Sequence, residues 1–292
     1  PSQSSAASDV YKRQLMGDLN DDGFDDFVIS TPEADLVSMT DNGRVAVYYG
    51  SSSGLSELPD MIYAGASDGA QFGFGMDLGD FNNDGVLDLA VGSPGWAPAN
   101  DPTTRHGMVH IYLGNASGVS ASPWSNLTGV ANESLGSAVA ALHHANSGDG
   151  LAATARNHTV QVSPTQVDDG KVNLYTGNES GLHPMRNLTQ TENGGLFGRS
   201  LEACDVNNDG FDELIVGNTG TYDAPATYSS VEYFFGSTSG YNGTADHTVA
   251  SITQGRLFGL NIACVGDLNG DGFDEHIVCL LYTSDAADDC EG

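Results

Sequence analysis

Four short segments of this sequence put oxygen-bearing side chains at the same places, counted from a first aspartate. Positions 1, 3, 5 and 9 are Asp18, Asn20, Asp22 and Asp26 in the first segment, and Asp80, Asn82, Asp84 and Asp88 in the second. In the third they are Asp205, Asn207, Asp209 and Glu213, and in the fourth Asp267, Asn269, Asp271 and Glu275. Glycine stands at position 6 each time and permits a sharp turn. The carbonyls at position 7 (Phe24, Val86, Phe211 and Phe273) offer a fifth oxygen. All-oxygen sets of this kind suit a hard cation, and a flexible loop favours Ca²⁺ over octahedral Mg²⁺. Without a cation, three carboxylates within nine residues repel one another. The expected cofactor is Ca²⁺.

Two metal-site alternatives can be weighed from the residues alone. An EF-hand or a dockerin-like loop begins the same way, but an EF-hand requires an acidic residue at position 12 and a helix after it. Position 12 here is Ile29, Val91, Val216 or Val278, each inside a β-branched run that reads as strand. The other alternative is a set of solvated Asx-turns without metal.

Catalytic signatures are few. The segments 50–54 and 65–69 both match G-x-S-x-G, yet a nucleophile elbow must join a strand to a helix, and no helical pattern follows either. Ser52 is replaced by Ala116, Glu179 and Thr238 in equivalent turns, so the first match is a repeat turn, and Ser67 lies in a connection. His143 and His144 are strand neighbours that should point to opposite faces. Cys204 and Cys264 precede the third and fourth loops and read as small buried thiols, with a disulfide as the alternative. No catalytic residue is expected.

The loops belong to a repeat. Their first aspartates are separated by 62, 125 and 62 residues, so a worn copy should lie between the second and third. Residues 145–153 fill that place, and with Asp149-Gly150 taken as positions 5 and 6 the segment should not bind metal. Phe72-Gly73, Leu135-Gly136, Phe197-Gly198 and Phe258-Gly259 precede the loops in phase. Aromatic-rich runs ending in glycine follow them, with a second glycine four residues later. Strands are expected at 27–30, 45–49, 89–93, 109–113, 172–175, 214–217 and 231–235. Four short strands per unit are the signature of a propeller blade, in which units must stack around an axis to bury their faces. The fold class is therefore all-β, a β-propeller fragment of four to five blades, each a four-stranded antiparallel sheet.

The Phe-Gly start, the D-x-N-x-D-G-x-x-D loop and the Val-Gly-Ser-Pro stretch at 91–94 resemble FG-GAP repeats. These build the seven-bladed propeller of integrin alpha subunits and of many microbial surface proteins. The resemblance covers nearly all of 15–278, in units of about 15–71, 72–134, 135–196, 197–257 and a partial 258–278. It implies that two or more blades are missing. Residues 1–14 and 279–292 resemble translated sequencing-library adapter and are set aside.

The expected function is a non-catalytic, extracellular or cell-surface module for adhesion or ligand binding, with an extracellular protein or glycan as partner. An accessory propeller of a secreted hydrolase is the alternative. The segments 31–42, 94–106, 156–169 and 219–229 vary most between units and should gather on the face opposite the calcium loops. A net charge of −30, from 9 Lys+Arg against 39 Asp+Glu, argues against nucleic acid or an anionic membrane as partner. It also suggests a saline or acidic cell-surface milieu. No run of residues is long and apolar enough for a membrane helix, so no direct insertion is expected. Seven Asn-x-Ser/Thr sites, from Asn115 to Asn242, agree with a secreted glycoprotein.

Overall fold

A computed structural model describes residues 14–36, 38–143, 148–157, 159–162, 165–168, 170–189, 196–219, 229–251 and 257–281. Among the described residues there are twenty strands and no helix. The first sheet contains β1 (Gln14–Gly17), β2 (Asp26–Thr31), β3 (Arg44–Tyr48) and β4 (Met61–Ala64). The second contains β5 (Met76–Gly79), β6 (Asp88–Ser93), β7 (Met108–Tyr112) and β8 (Ser125–Thr128). The third begins with β9 (Leu135–Leu142) and β10 (Gly150–Ala155), then a separate hairpin, β11 (Thr159–Val162) and β12 (Thr165–Asp168). It is completed by β13 (Lys171–Asn178) and β14 (Gly181–Thr189). The fourth contains β15 (Phe197–Cys204), β16 (Glu213–Asn218), β17 (Ser230–Phe234) and β18 (His247–Ala250). Finally β19 (Leu257–Gly266) pairs with β20 (Glu275–Leu281) as a two-stranded start of a fifth.

Each complete sheet is antiparallel with its strands in chain order, which is the predicted blade. All seven expected strands are present within two or three residues of their expected ends. Pairing also reaches into the segments set aside, since β1 starts at Gln14 and β20 runs to Leu281.

The burial pattern follows from the stacking. Strands β6 and β10 are buried along their whole length, because the second and third sheets are covered on both faces. After Asp88, their sequences (LAVGS and GLAATA) are accordingly apolar or small without alternation. The outermost strand β18 is exposed at every residue. Each core lies between two neighbouring sheets. Val28 and Val45 of the first sheet pack with Leu89 and Tyr112 of the second, and Ala90 and Ile111 of the second with Leu151 and Tyr175 of the third. Leu174 of the third meets Leu214 and Phe234 of the fourth. Burial of such side chains contributes about 1.5–3 kcal/mol each.

The Phe-Gly landmarks are the docking points between sheets. Phe72 is 1% exposed in the core shared by the first two sheets. Gly73 has φ +87°, and a Cβ there would lie 2.6 Å from Ser30 Cβ. The Ser30 hydroxyl donates to the Gly73 carbonyl at 2.7 Å, and Thr154 and Ser200 repeat the bond to Gly198 and Gly259.

Antiparallel order fixes two ends. The acidic loops connect first to second strands at one end, and the variable segments connect second to third strands at the other. Of those segments, 156–169 contains the β11–β12 hairpin, and most of 219–229 lies outside the described residues.

Candidate metal centres

The four acidic loops share one backbone conformation. Asp18 Oδ1 and Oδ2 accept the Asp22 and Gly23 amides at 3.1 and 2.8 Å. Asp80, Asp205 and Asp267 do the same for their own loops. Position 5 accepts the amide of position 7 in all four, as from Phe24 to Asp22 at 3.0 Å. The loops therefore bring positions 1, 3 and 5 together on one turn, as the spacing requires.

Position 6 has a left-handed φ in every loop, from 86° at Gly210 to 93° at Gly272. Position 4 is left-handed too: Asp21, Asn83 and Asn208 have φ 54°, 62° and 57°, and Gly270 has φ 77°. Sequence reasoning missed position 4. Its signal was present, because only Asp, Asn and Gly occur there, the residues that tolerate this conformation.

Position 9 is anchored inward. Asp26 and Asp88 are 0% exposed. Asp26 accepts the Leu19 and Gly50 amides at 2.9 and 2.8 Å, and Asp88 those of Phe81 and Gly114 at 3.0 and 2.9 Å. Each carboxylate thus ties its loop to the turn after the third strand. Glu213 and Glu275 likewise accept the amide at position 2, and add the Asn side chain at position 3; the Gly236 amide, after the third strand, also bonds Glu213.

The electrostatics are those of excess negative charge. Burial first, then the Asp84 and Asp80 charges, push the Asp88 carboxyl up to about 7 against the pull of two amides. Burial and the Asp209 and Asp205 charges push Glu213 up to about 7 as well. Asp26 is raised for the same reasons. Asn207 Oδ1, at position 3 of the third loop, is buried and accepts no hydrogen bond. A buried acceptor without a donor is uncommon. Beside three acidic groups, it fits a cation better than it fits a solvated turn. Among the described residues, no group of three or more His, Cys, Asp or Glu side chains is placed to hold a metal ion by itself.

The worn loop requires a correction. Leu142 pairs with Gly150 where Gly79 pairs with Asp88, so His143 takes position 1, and Asp149 takes position 8. Asp149 and Gly150 are therefore not positions 5 and 6. From position 8, Asp149 joins the preceding loop: its amide donates to Asp80 O and its Oδ2 accepts the Asp80 amide, both at 2.8 Å. Asp212 forms the same clasp with His143, at 3.3 and 2.8 Å. The His143 ring also meets Asp149 Oδ2 at 2.8 Å, and that bond raises its pKa to about 9. His144 lies outside the described residues.

Cys204 and Cys264 are not free thiols. They form a disulfide between β15 and β19, with Cα atoms 6.1 Å apart, inside the usual range. First strands of successive sheets run side by side, which brings residues 60 apart in sequence into contact. Ser52 sits in an exposed turn, and Ser67 precedes another, with no helix at either. Trp124 packs on the core between the second and third sheets, and Trp96 stands edge-on to His106 within its own loop.

The FG-GAP repeat family matches residues 15–48, 72–112 and 197–231, which are the first, second and fourth sheets up to their third strands. The chain carries FG-GAP repeats and folds as their propeller blades. Phosphatidylinositol-glycan-specific phospholipase D of Mus musculus is 35% identical over 133 residues, 42% of this chain and 16% of that protein. Integrin alpha-PS3 of Drosophila melanogaster is 35% identical over 115 residues, 39% of this chain and 9% of that protein. Integrin alpha-5 of Xenopus laevis is 34% identical over 118 residues, 38% of this chain and 11% of that protein. The chain thus spans less than a fifth of each of these relatives. Among solved structures, the rhamnogalacturonan lyase PL11 of Bacillus licheniformis superposes with a TM-score of 0.49 at 11% identity, over 91% of this chain and 55% of that one.

Proposed function

We propose that the chain is a calcium-binding, extracellular β-propeller module that mediates adhesion or ligand binding and is itself non-catalytic. The observation that carries the reading is the repetition of one loop conformation four times, with oxygen donors at the same positions and a donorless buried Asn207 Oδ1 in one of them. Positions 1, 3, 5 and 9, with the carbonyl at position 7, would hold the ions. Bound Ca²⁺ would supply positive charge where burial and repulsion now raise Asp88 and Glu213.

The Cys204–Cys264 disulfide supports an oxidising compartment, and weak extracellular calcium sites are filled only where calcium is abundant. The end away from the loops, from which the variable segments leave their second strands, is the surface proposed for an extracellular protein or glycan partner.

Calcium titration by calorimetry tests the metal reading, with about 10⁻⁴–10⁻³ M expected for each site. The melting temperature should rise with Ca²⁺ and fall back in EDTA, since the ion binds only the folded chain. Equal midpoints in the two conditions would remove calcium from the proposal.

Similarity to phosphatidylinositol-glycan-specific phospholipase D favours a second reading, an accessory propeller of a secreted hydrolase. A longer gene product with a catalytic domain would select it over adhesion.

A further inference from the structure

A cavity of about 500 Å³ runs between the first strands of the sheets, bounded by Leu15, Met76, Val139, Leu201 and Ile262. Two arginines line it toward the variable-segment end. Arg156 follows the last residue of β10, and Arg199 is the third residue of β15. The Arg156 guanidinium lies over the Phe74 ring, 5.1 Å from its centroid. Among the described residues, neither arginine has an ion pair with a carboxylate.

That pairing of like charges is unexpected in a chain with 9 Lys+Arg against 39 Asp+Glu. Burial lowers the Arg156 pKa to about 10, and the Arg199 charge pushes the same way. The two carboxylates of the cavity wall are occupied elsewhere. Asp77 accepts the Ala141 and Leu78 amides at 2.7 and 2.9 Å. Glu202 has a partner and stands three residues beyond Arg199, ~10 Å along the strand toward the calcium loops.

We propose that Arg156 and Arg199 form an anion-binding site at this mouth, gripping a carboxylate or sulfate group of a ligand that enters from the variable-segment end. The guanidinium fork matches such oxygens in bidentate geometry, and one anion cancels the repulsion between the two cations. The volume admits a small organic acid or the acidic tip of a larger ligand. Ser137 and Asn261 add neutral polar groups to the same wall. The inference rests on the reading of this end as the recognition surface, and it is independent of metal binding at the other end.

The test titrates the calcium-saturated chain with sodium sulfate and with sodium glucuronate at constant ionic strength. Arginine Nε–Hε resonances of ¹⁵N-labelled protein are followed. Saturable shifts of two arginines with one ligand per chain are expected. Arg156→Gln and Arg199→Gln should each weaken binding at least about tenfold, and Arg186→Gln, at an exposed position of β14, should not. If Arg156→Gln fails to fold, Arg199→Gln, at an exposed residue, decides alone. Unsaturable shifts, or equal binding by Arg199→Gln and Arg186→Gln, would overturn the site. Either result leaves the calcium titration unaffected, so the two readings fail separately.

Discussion

The residues of the acidic loops divide into two jobs that the sequence pattern did not separate. Positions 1, 3 and 5 shape the turn, whereas position 8 joins one sheet to the next. Asp149→Ala removes the acceptor of the Asp80 amide and the partner of the His143 ring. It should cost about 1–3 kcal/mol in urea unfolding and weaken calcium binding at the second loop. An unchanged midpoint would contradict the clasp. The calcium-free chain should also show an unusual pH profile. Asp88 and Glu213 have folded pKa values raised to about 7, from 3.8 and 4.5. The folded state then keeps protons that the unfolded state has lost, so their contribution is full below about pH 4 and lost as pH rises through 7. Melting in EDTA should fall between about pH 5 and 8, and saturating calcium should shrink that fall to the part carried by Asp212 and His143. A flat EDTA profile would argue against buried, repelling carboxylates. The ligand pattern was legible because it is local. The worn loop was misaligned because an Asp-Gly pair looks the same at positions 5–6 and 8–9, and only strand pairing tells them apart.

At the scale of elements, strand order and extent were readable because apolar runs and glycine turns recur in phase. What the repeat could not reveal is how tightly sheets press together. Gly73→Ala tests that tightness. The substitution puts a Cβ 2.6 Å from Ser30 Cβ at φ +87°, so it should destabilise by ~2 kcal/mol or more, read by thermal melting. Gly23→Ala, with φ +88° but nothing within 4 Å, should cost about 1 kcal/mol, the conformational part alone. Equal costs would mean that contact between sheets adds nothing. The β11–β12 hairpin was not foreseen, since its residues repeat nothing elsewhere in the chain.

For the whole molecule, the disulfide is the long-range feature that spacing could not decide. Two cysteines before successive loops fit a pair of buried thiols more readily than a disulfide, and only the side-by-side packing of β15 and β19 shows the pair. Reduction, or the Cys204→Ser/Cys264→Ser double variant, should cost ~4 kcal/mol for a loop of this length, measured by denaturant midpoint. The larger pattern is that every core and every clasp involves only neighbouring sheets. Two junctions, second to third and third to fourth, have an aspartate at position 8 whose carboxylate closes the clasp, Asp149 and Asp212. The first to second does not, because Leu87 occupies that position and joins the apolar core. A chain built in this way behaves as a row of linked units, not as one indivisible body. Under a pulling force, or in hydrogen exchange, the first sheet should peel away before the second and third part. The boundary would fall at Leu87, where a greasy joint replaces a hydrogen-bonded one.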